Sequence, residues 1–373
     1  MFLLNEILWF LPLIIYTGYR LIQLPRRRLS KLFMAVVFLW LSLGFFLAES
    51  LSHSSSAGWT RPVILAGYYA LPALLYVVLF VVSADLVVGL LWLLKVPARE
   101  VIRSPRFRAV RLAAYLIVPS LIVGYGILNY NSLRVRTYSV QVPRKASSVE
   151  RLRIVFASDF HLGERTSPHF LSSFVEKVNA QDPDVVLIGG DVLENDRDEE
   201  DLREFESQFR RIRSKYGVFG VPGNHEYFHG GNPGDFFTRS GIRLLQDEVV
   251  RVDEAFILAG RKDGRRRGRL SMADLLKSAP RDLPLVVMDH RPTDLEGISL
   301  AGADIQVSGH THRGQLFPVN WITARRYELD WGYKKKRGTH VFVSSGVQLW
   351  GPPVRTTGAS EILVIDVVLT GEK

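Results

Sequence analysis

Arg153-Ile154-Val155-Phe156-Ala157-Ser158-Asp159-Phe160-His161 is the stretch on which the fold turns. A short apolar run, Arg153 to Ala157, stops at a polar turn that carries a carboxylate and an imidazole. A run of this length bounded by a turn predicts a buried strand. The same construction recurs downstream. Asp184 to Ile188 leads into Gly189-Gly190-Asp191, and Gly217 to Val221 leads into Gly223-Asn224-His225-Glu226. Leu285 to Met288 leads into Asp289-His290, and Ala303 to Val307 leads into Gly309-His310-Thr311-His312. His340 to Ser344 and Glu361 to Val367 read as further strands, and Pro168 to Ala180 and Glu199 to Lys215 as helices. Strands alternating with helices predict an α/β sandwich of layered sheets with helices outside. In open α/β sheets, sites form beyond the carboxyl ends of the strands.

Five strand ends thus deliver carboxylate, amide or imidazole groups. In extended chain, residues i and i+2 point to one side. Asp159 and His161 are expected to grip one ion together, and His310 and His312 to reach one of two adjacent ions each. Gly190, Gly223 and Gly309 let the backbone approach a bound ion or phosphate. The chain has no cysteine, so thiolate sites and disulfides are excluded. Mixed Asp, Asn and His ligation suits Mn, Fe, Zn or Co ions. His53, His169, His229 and His340 stand outside the series and read as surface or packing residues.

The first 130 residues have another character. Apolar stretches run from about Ile7 to Leu24, Leu32 to Ala48, Val63 to Leu94 and Leu112 to Leu128. A helix needs about 20 mostly apolar residues to cross the hydrocarbon layer. Four membrane helices are expected, the third being one long tilted helix. The first lacks the basic lead and the cleavage site of a signal peptide. Asp85, inside the third stretch, is expected near the headgroups. The net charge of +10 is confined to this half: residues 1–150 hold 16 Lys+Arg against 5 Asp+Glu, and the remainder is balanced at −1. That distribution argues against nucleic acid as a partner. The basic loops carry Arg20, Arg26, Arg27, Arg28 and Lys31, then Lys95, Arg99, Arg103, Arg106, Arg108 and Arg111. Such loops are cytoplasmic by the positive-inside rule, which sets the second half outside the cytoplasm.

The ordered series Asp-x-His, Gly-Asp, Gly-Asn-His-Glu, His, Gly-His-x-His resembles that of the calcineurin-like metallophosphoesterase superfamily, above all its membrane-anchored bacterial branch. The resemblance covers about residues 134–368 and takes in Trp350-Gly351-Pro352-Pro353-Val354-Arg355. It implies a four-layer αββα sandwich at residues 131–373, preceded by a transmembrane helical region at residues 1–130. It also implies two divalent ions, one held by Asp159, His161, Asp191 and His312, the other by Asp191, Asn224, His290 and His310. Asp191 would bridge them, and His225 would assist the leaving group during attack by a bridging hydroxide. Two positions depart from the branch. Asp289-His290-Arg291-Pro292 stands where Ser-His-Gln-Pro or similar is commoner, and Arg313 stands where glycine is usual.

The expected activity is hydrolysis of a phosphate ester or pyrophosphate on a lipid or envelope-linked molecule in the bacterial inner membrane. Membrane lipids are the other expected partner. The alternative is a non-catalytic membrane scaffold that keeps the fold. Arg313 and Arg355 are expected to contact substrate phosphate, because a guanidinium fork matches phosphate geometry. The basic runs Arg261 to Arg269 and Lys334 to Arg337 read as solvated loops, with anionic headgroups as the alternative.

Overall fold

A chain that leaves water must satisfy its own backbone, and the apolar stretches of the first 130 residues do so by coiling. The computed structural model describes residues 2–54, 60–96, 99–163, 166, 168–194, 199–227, 233–264, 267–277 and 279–371. It divides into two units, Met1–Leu128 with Gly351–Thr356, and Asn129–Trp350 with Thr357–Lys373.

The first unit contains α1 (Phe2–Gln23), α2 (Arg28–Ser54), α3 (Arg61–Leu93), the short α4 (Arg99–Arg103) and α5 (Pro105–Tyr130). Among the described residues three helices, α2, α3 and α5, are long and apolar enough to cross a membrane, against the four expected. The side chains of α1 before Phe10 lie outside the described residues. At 33 residues α3 is one unbroken helix, about 50 Å long. Leu32, Phe33, Leu86 and Leu121 stand exposed, as lipid-facing side chains do. Leu21, Met34, Val77, Val81 and Tyr115 form the inner core.

Asp85 is a junction in this unit. Its carboxylate accepts from Tyr16 Oη (2.7 Å) and Arg20 Nε (2.5 Å) of α1. It also accepts from Arg111 and Tyr115 of α5, and its side chain is 7% exposed.

The second unit holds two six-stranded sheets. The first is built from β1 (Arg134–Pro143), β2 (Arg151–Ala157), β3 (Val185–Ile188), β4 (Val218–Gly220), β5 (Ile242–Leu244) and β12 (Glu361–Thr370), in the order β1-β12-β2-β3-β4-β5. The second is built from β6 (Glu248–Val252), β7 (Phe256–Gly260), β8 (Leu285–Met288), β9 (Ile305–Ser308), β10 (Gly332–Lys336) and β11 (Thr339–Val343), in the order β10-β11-β9-β8-β7-β6. Strands β2 to β5 run parallel, as do β7, β8, β9 and β11. The carboxyl ends within each run therefore point one way.

Alternation along the strands sorts the core into three layers. Ile154, Phe156, Val185 and Leu187 meet Phe256, Leu258, Val286 and Met288 between the sheets. Val155, Ala157, Val186 and Ile188 face the other way, onto Phe174 of α6 (Pro168–Asn179) and Phe205 and Phe209 of α7 (Glu199–Phe209). Phe236 of α8 (Pro233–Arg239) joins that layer. Ile257, Ala259, Leu285 and Val287 pack on α9 (Met272–Leu275) and α10 (Leu295–Leu300). The result is the expected αββα sandwich. One helix ends earlier than its pattern predicts, at Phe209 rather than Lys215. Asn179 donates to Arg211 O (2.9 Å) and accepts from Arg213 N (2.8 Å), which takes backbone groups that helix would need.

Candidate metal centre

The ends of β2, β3 and β4 in one sheet, and of β8 and β9 in the other, carry the seven residues singled out by the sequence. Ligand atoms of Asp159, His161 and His312 lie within 4.8 Å of one another, as do those of Asp191, His290 and His310, and those of His161, Asp191 and His225. The acids are buried, Asp159 at 0% exposure and Asp191 at 2%.

Strand alternation is not what brings them together, contrary to the i, i+2 expectation. Asp159 (φ 57°), His161 (44°), Asp191 (50°), His310 (71°) and His312 (49°) all lie in the left-handed region, which costs about 1–3 kcal/mol per non-glycine residue. Each follows a strand end, and the turn rather than the pleat aims its side chain. The surroundings hold these turns. Asp159 accepts from Ser158 Oγ (2.6 Å) and from the backbone N of His310 (3.0 Å), a bond from the second sheet to a carboxylate on the first. Glu226 accepts from the backbone N of Asp191 (2.9 Å), Val192 (2.5 Å) and Gly223 (2.6 Å), and so ties the loops after β3 and β4. Gly223 and Gly309 permit this closeness. A Cβ at Gly223 would lie 2.1 Å from Asp191 Oδ1, and one at Gly309 2.3 Å from Asp159 Oδ2.

The donor set fits a divalent cation. His161 gives its Nδ1–H to Glu194 Oε1 (2.5 Å), so its other nitrogen presents a lone pair, and that Nε2 lies 3.2 Å from His312 Nε2. His290 gives Nδ1–H to the Gly189 carbonyl (2.8 Å) and turns Nε2 towards Asp191 Oδ2 at 3.2 Å. Asn224 Oδ1 is buried without a hydrogen-bond partner. The facing nitrogens of His161 and His312, and an orphaned buried acceptor, are relieved by a cation. Burial alone would lower the His290 imidazole, but the Asp191 carboxylate, by charge and hydrogen bond, outweighs it and pushes the ring up to about 10. Burial likewise opposes the ionisation of Asp191, and the charge of His290 overcomes it, holding that carboxyl well below its usual range.

Glu194 is the functional residue that the sequence reading missed. It takes His161 on one oxygen and His225 Nδ1 (3.2 Å) on the other. Burial would raise its carboxyl, but the hydrogen bonds from the two histidines hold it far below the usual range. In return Glu194 and Asp191 lift the His225 imidazole above its ordinary value against burial. A carboxylate three residues after Asp191 was the available signal.

Arg313 stacks its guanidinium 3.9 Å from the Trp331 ring, and Arg136 stacks on the same ring at 4.5 Å. Arg355 lies in the segment grouped with the helical unit and is fully buried, so its guanidinium is closed to solvent. The basic runs are only partly solvated: Arg267, Lys335 and Arg337 are exposed, and others are held by carboxylates. Arg261 is 4% exposed and bonds Asp289 (3.2 Å), which Arg269 also reaches, while Arg291 bonds Asp263 (2.6 Å). Arg265 and Arg266 lie outside the described residues. Lys334 and Lys336 pair with Glu328, and Arg337 with Glu296. His340 packs as expected, donating Nε2–H to Gln141 O (3.1 Å), and His169 is exposed. His229 and the side chain of His53 lie outside the described residues.

This chain is similar to proteins of one kind. The calcineurin-like phosphoesterase pattern matches residues 152–314. An uncharacterized metallophosphoesterase of Campylobacter jejuni is 33% identical over 69% of this chain and 69% of its own. A transmembrane protein with metallophosphoesterase domain from Bos taurus is 30% identical over 68% of this chain and 62% of its own. The crystal structure of TT1561 of Thermus thermophilus aligns with 52% of this chain and 89% of its own, at 14% identity and a TM-score of 0.36. With the family pattern spanning all five site-bearing strand ends, and a metallophosphoesterase a third identical along more than two thirds of both chains, this protein belongs to the calcineurin-like metallophosphoesterases.

Proposed function

We propose that the chain hydrolyses a phosphate ester or a pyrophosphate with two divalent ions. Asp159, His161, Asp191 and His312 would hold one, and Asp191, Asn224, His290 and His310 the other. When bound, such ions polarise phosphoryl oxygens and supply an activated water near neutral pH. The chain's own residues do the rest. Glu194 fixes the tautomer of His161, so that Nε2 is the ligating nitrogen, a role typical of groups behind metal ligands. His225, kept protonated and oriented by Glu194, gives its proton to the departing oxygen. General-acid help of this kind is worth about 10²–10⁴-fold.

What supports the proposal is the convergence of these side chains from five strand ends of two sheets. Metal analysis of the purified chain, with assays on p-nitrophenyl phosphate and bis-p-nitrophenyl phosphate, tests it. Bound divalent metal and turnover of either ester are expected. No metal and no turnover of either would instead support a scaffold that keeps the fold. The membrane-length helices support a lipid- or envelope-linked substrate, and the basic loops support a catalytic unit outside the cytoplasm of a bacterial inner membrane. A reporter fused after Lys373 reads that orientation, and a cytoplasmic signal contradicts it.

A further inference from the structure

The basic ends of the membrane helices border a half-open cavity of about 590 Å³. It lies among the end of α1, the connection to α2, α4 and the start of α5, wholly within the helical unit. Arg20, Arg26, Lys31, Arg103, Arg108 and Arg111 line it, and no carboxylate does. Orientation in a membrane needs positive charge in a loop but does not need it gathered round one space. Arg26, Lys31, Arg103 and Arg108 have no carboxylate partner among the described residues, and like charges this close repel one another unless an anion sits among them. The volume is that of an ordinary small-molecule pocket, about 300–1,000 Å³.

Two of the six are fixed in advance. Asp85 holds Arg20 by its Nε and Arg111 by one amino group, and Arg111 Nε donates to Tyr115 Oη (2.8 Å). The Tyr16 hydroxyl lies beside the Arg20 guanidinium, and Asp85 is the one ion-pair partner of both guanidiniums among the described residues. Arg26, Arg103 and Arg108 make no ion pair among the described residues. One carboxylate thus anchors the site without neutralising it, and preorganised guanidiniums favour an oxyanion such as phosphate. Gln23 and Pro25 also line it, and Leu24, Ile102 and Phe107 add apolar surface, which a free inorganic anion does not need and an amphiphile does. Along α5, Arg111 and Tyr130 are 19 residues apart, about 29 Å, close to the roughly 30 Å depth of the hydrocarbon layer. With α5 across the membrane, the cavity sits at one headgroup level.

We propose that this cavity binds the phosphate headgroup of an anionic membrane lipid, independently of the metal centre. Basic pockets between membrane helices are suited to such headgroups. The full-length protein, exchanged into zwitterionic detergent, is titrated with phosphatidylglycerol, with phosphatidylcholine and with inorganic phosphate, and bound species are counted by native mass spectrometry. Phosphatidylglycerol is expected to bind at least about tenfold more tightly than phosphatidylcholine. Arg103→Gln with Arg108→Gln should weaken it about 30-fold, at about fivefold per charge. Arg103→Lys with Arg108→Lys should stay within about threefold of the parent, since charge is kept. Helical circular dichroism and ester hydrolysis should be unchanged in all of these. Should the double glutamine variant lose helicity, Arg26→Gln, in the exposed connection, carries the same expectation at about fivefold. Equal binding of phosphatidylcholine, or undiminished binding by folded glutamine variants, overturns the proposal. Inorganic phosphate binding as tightly as phosphatidylglycerol assigns the cavity to a soluble anion and overturns the lipid.

Discussion

Replacing Gly309 by alanine sets a methyl carbon 2.3 Å from Asp159 Oδ2 and 2.3 Å from Ser158 Oγ, where ordinary contact begins at 3.4 Å. The carboxylate must therefore retreat by about 1 Å. It has nowhere easy to go, being fully buried and held by Ser158 Oγ and the backbone N of His310. A displacement of about 1 Å at a reacting centre costs on the order of 10²-fold in rate, and overpacking of this kind costs about 1–3 kcal/mol of stability. We expect Gly309→Ala to lower kcat/KM on bis-p-nitrophenyl phosphate about 100-fold and to lose metal that survives gel filtration in the parent. Gly223→Ala should do the same through Asp191, whose Oδ1 would lie 2.1 Å from the new carbon. Gly338→Ala, in the hairpin between β10 and β11, meets nothing within 4 Å and serves as the control. Initial rates in excess Mn²⁺, metal content by mass spectrometry and a thermal melt read the three variants together. A folded Gly309→Ala that keeps its metal and more than half its rate refutes the steric reasoning. So does a Gly338→Ala as damaged as Gly309→Ala.

Glu194→Gln removes the charge that His161 and His225 share, and metal affinity should fall about 10–100-fold. At saturating metal it should slow esters with poor leaving groups by about 10²-fold and leave p-nitrophenyl esters nearly unchanged; equal slowing of both contradicts the positioning role. The His290 imidazole, raised to about 10, stays protonated below that pH without metal, whereas a ligand must be neutral. Metal loading near pH 8 should therefore release a proton from His290, the release should vanish above about pH 10, and affinity should rise with pH between these limits; a weakly buffered titration with a pH electrode shows it, and no release near pH 8 counts against His290 as a ligand. Asp85→Asn takes the carboxylate from between two arginines and should lower the stability of the helical unit by about 3–5 kcal/mol, seen as an earlier melt in detergent. An unchanged melt means that Asp85 is not the junction described above.

The seven candidate ligands were legible because each stands within four residues of a strand that announces itself by composition. A run such as Val185 to Ile188 is apolar on both faces, and its end is marked by Gly189 and Gly190. What failed was the geometry assigned to the pairs. Asp and His tolerate left-handed φ better than most residues, but residue type alone does not fix it at Asp159 and His161, where the turn is held by partners such as His310, more than 150 positions away along the chain. Glu194 was passed over because its value lies in holding two imidazoles from different loops at once. The run Arg261 to Arg269 looked solvated because charge predicts exposure unless a partner is known, and Asp289 becomes a partner only when β7 and β8 lie side by side. Strand β10 escaped for a related reason. It is an edge strand whose Lys334, Lys335 and Lys336 discourage pairing with another chain, and a lysine run carries no strand signal of its own. In the helical half, hydropathy gave the length of α3 but said nothing of α4 or of the cavity, which exists only when two stretches distant in sequence, residues 20–31 and 102–111, converge.

The indole of Trp331 carries the guanidiniums of both Arg136 and Arg313 against its ring. Arg313 is bonded directly to His312, so the ring is mechanically joined to a ligand-bearing turn. Tryptophan emission responds to the charge and wetness of its surroundings, and no other tryptophan of the second unit is packed against two cations among the described residues. The protein therefore carries a built-in optical gauge. Movement of the His312 turn would change the field on that one ring, so the proposed metal loading is expected to alter the emission of the native chain without a dye, the Trp331→Phe variant giving the blank.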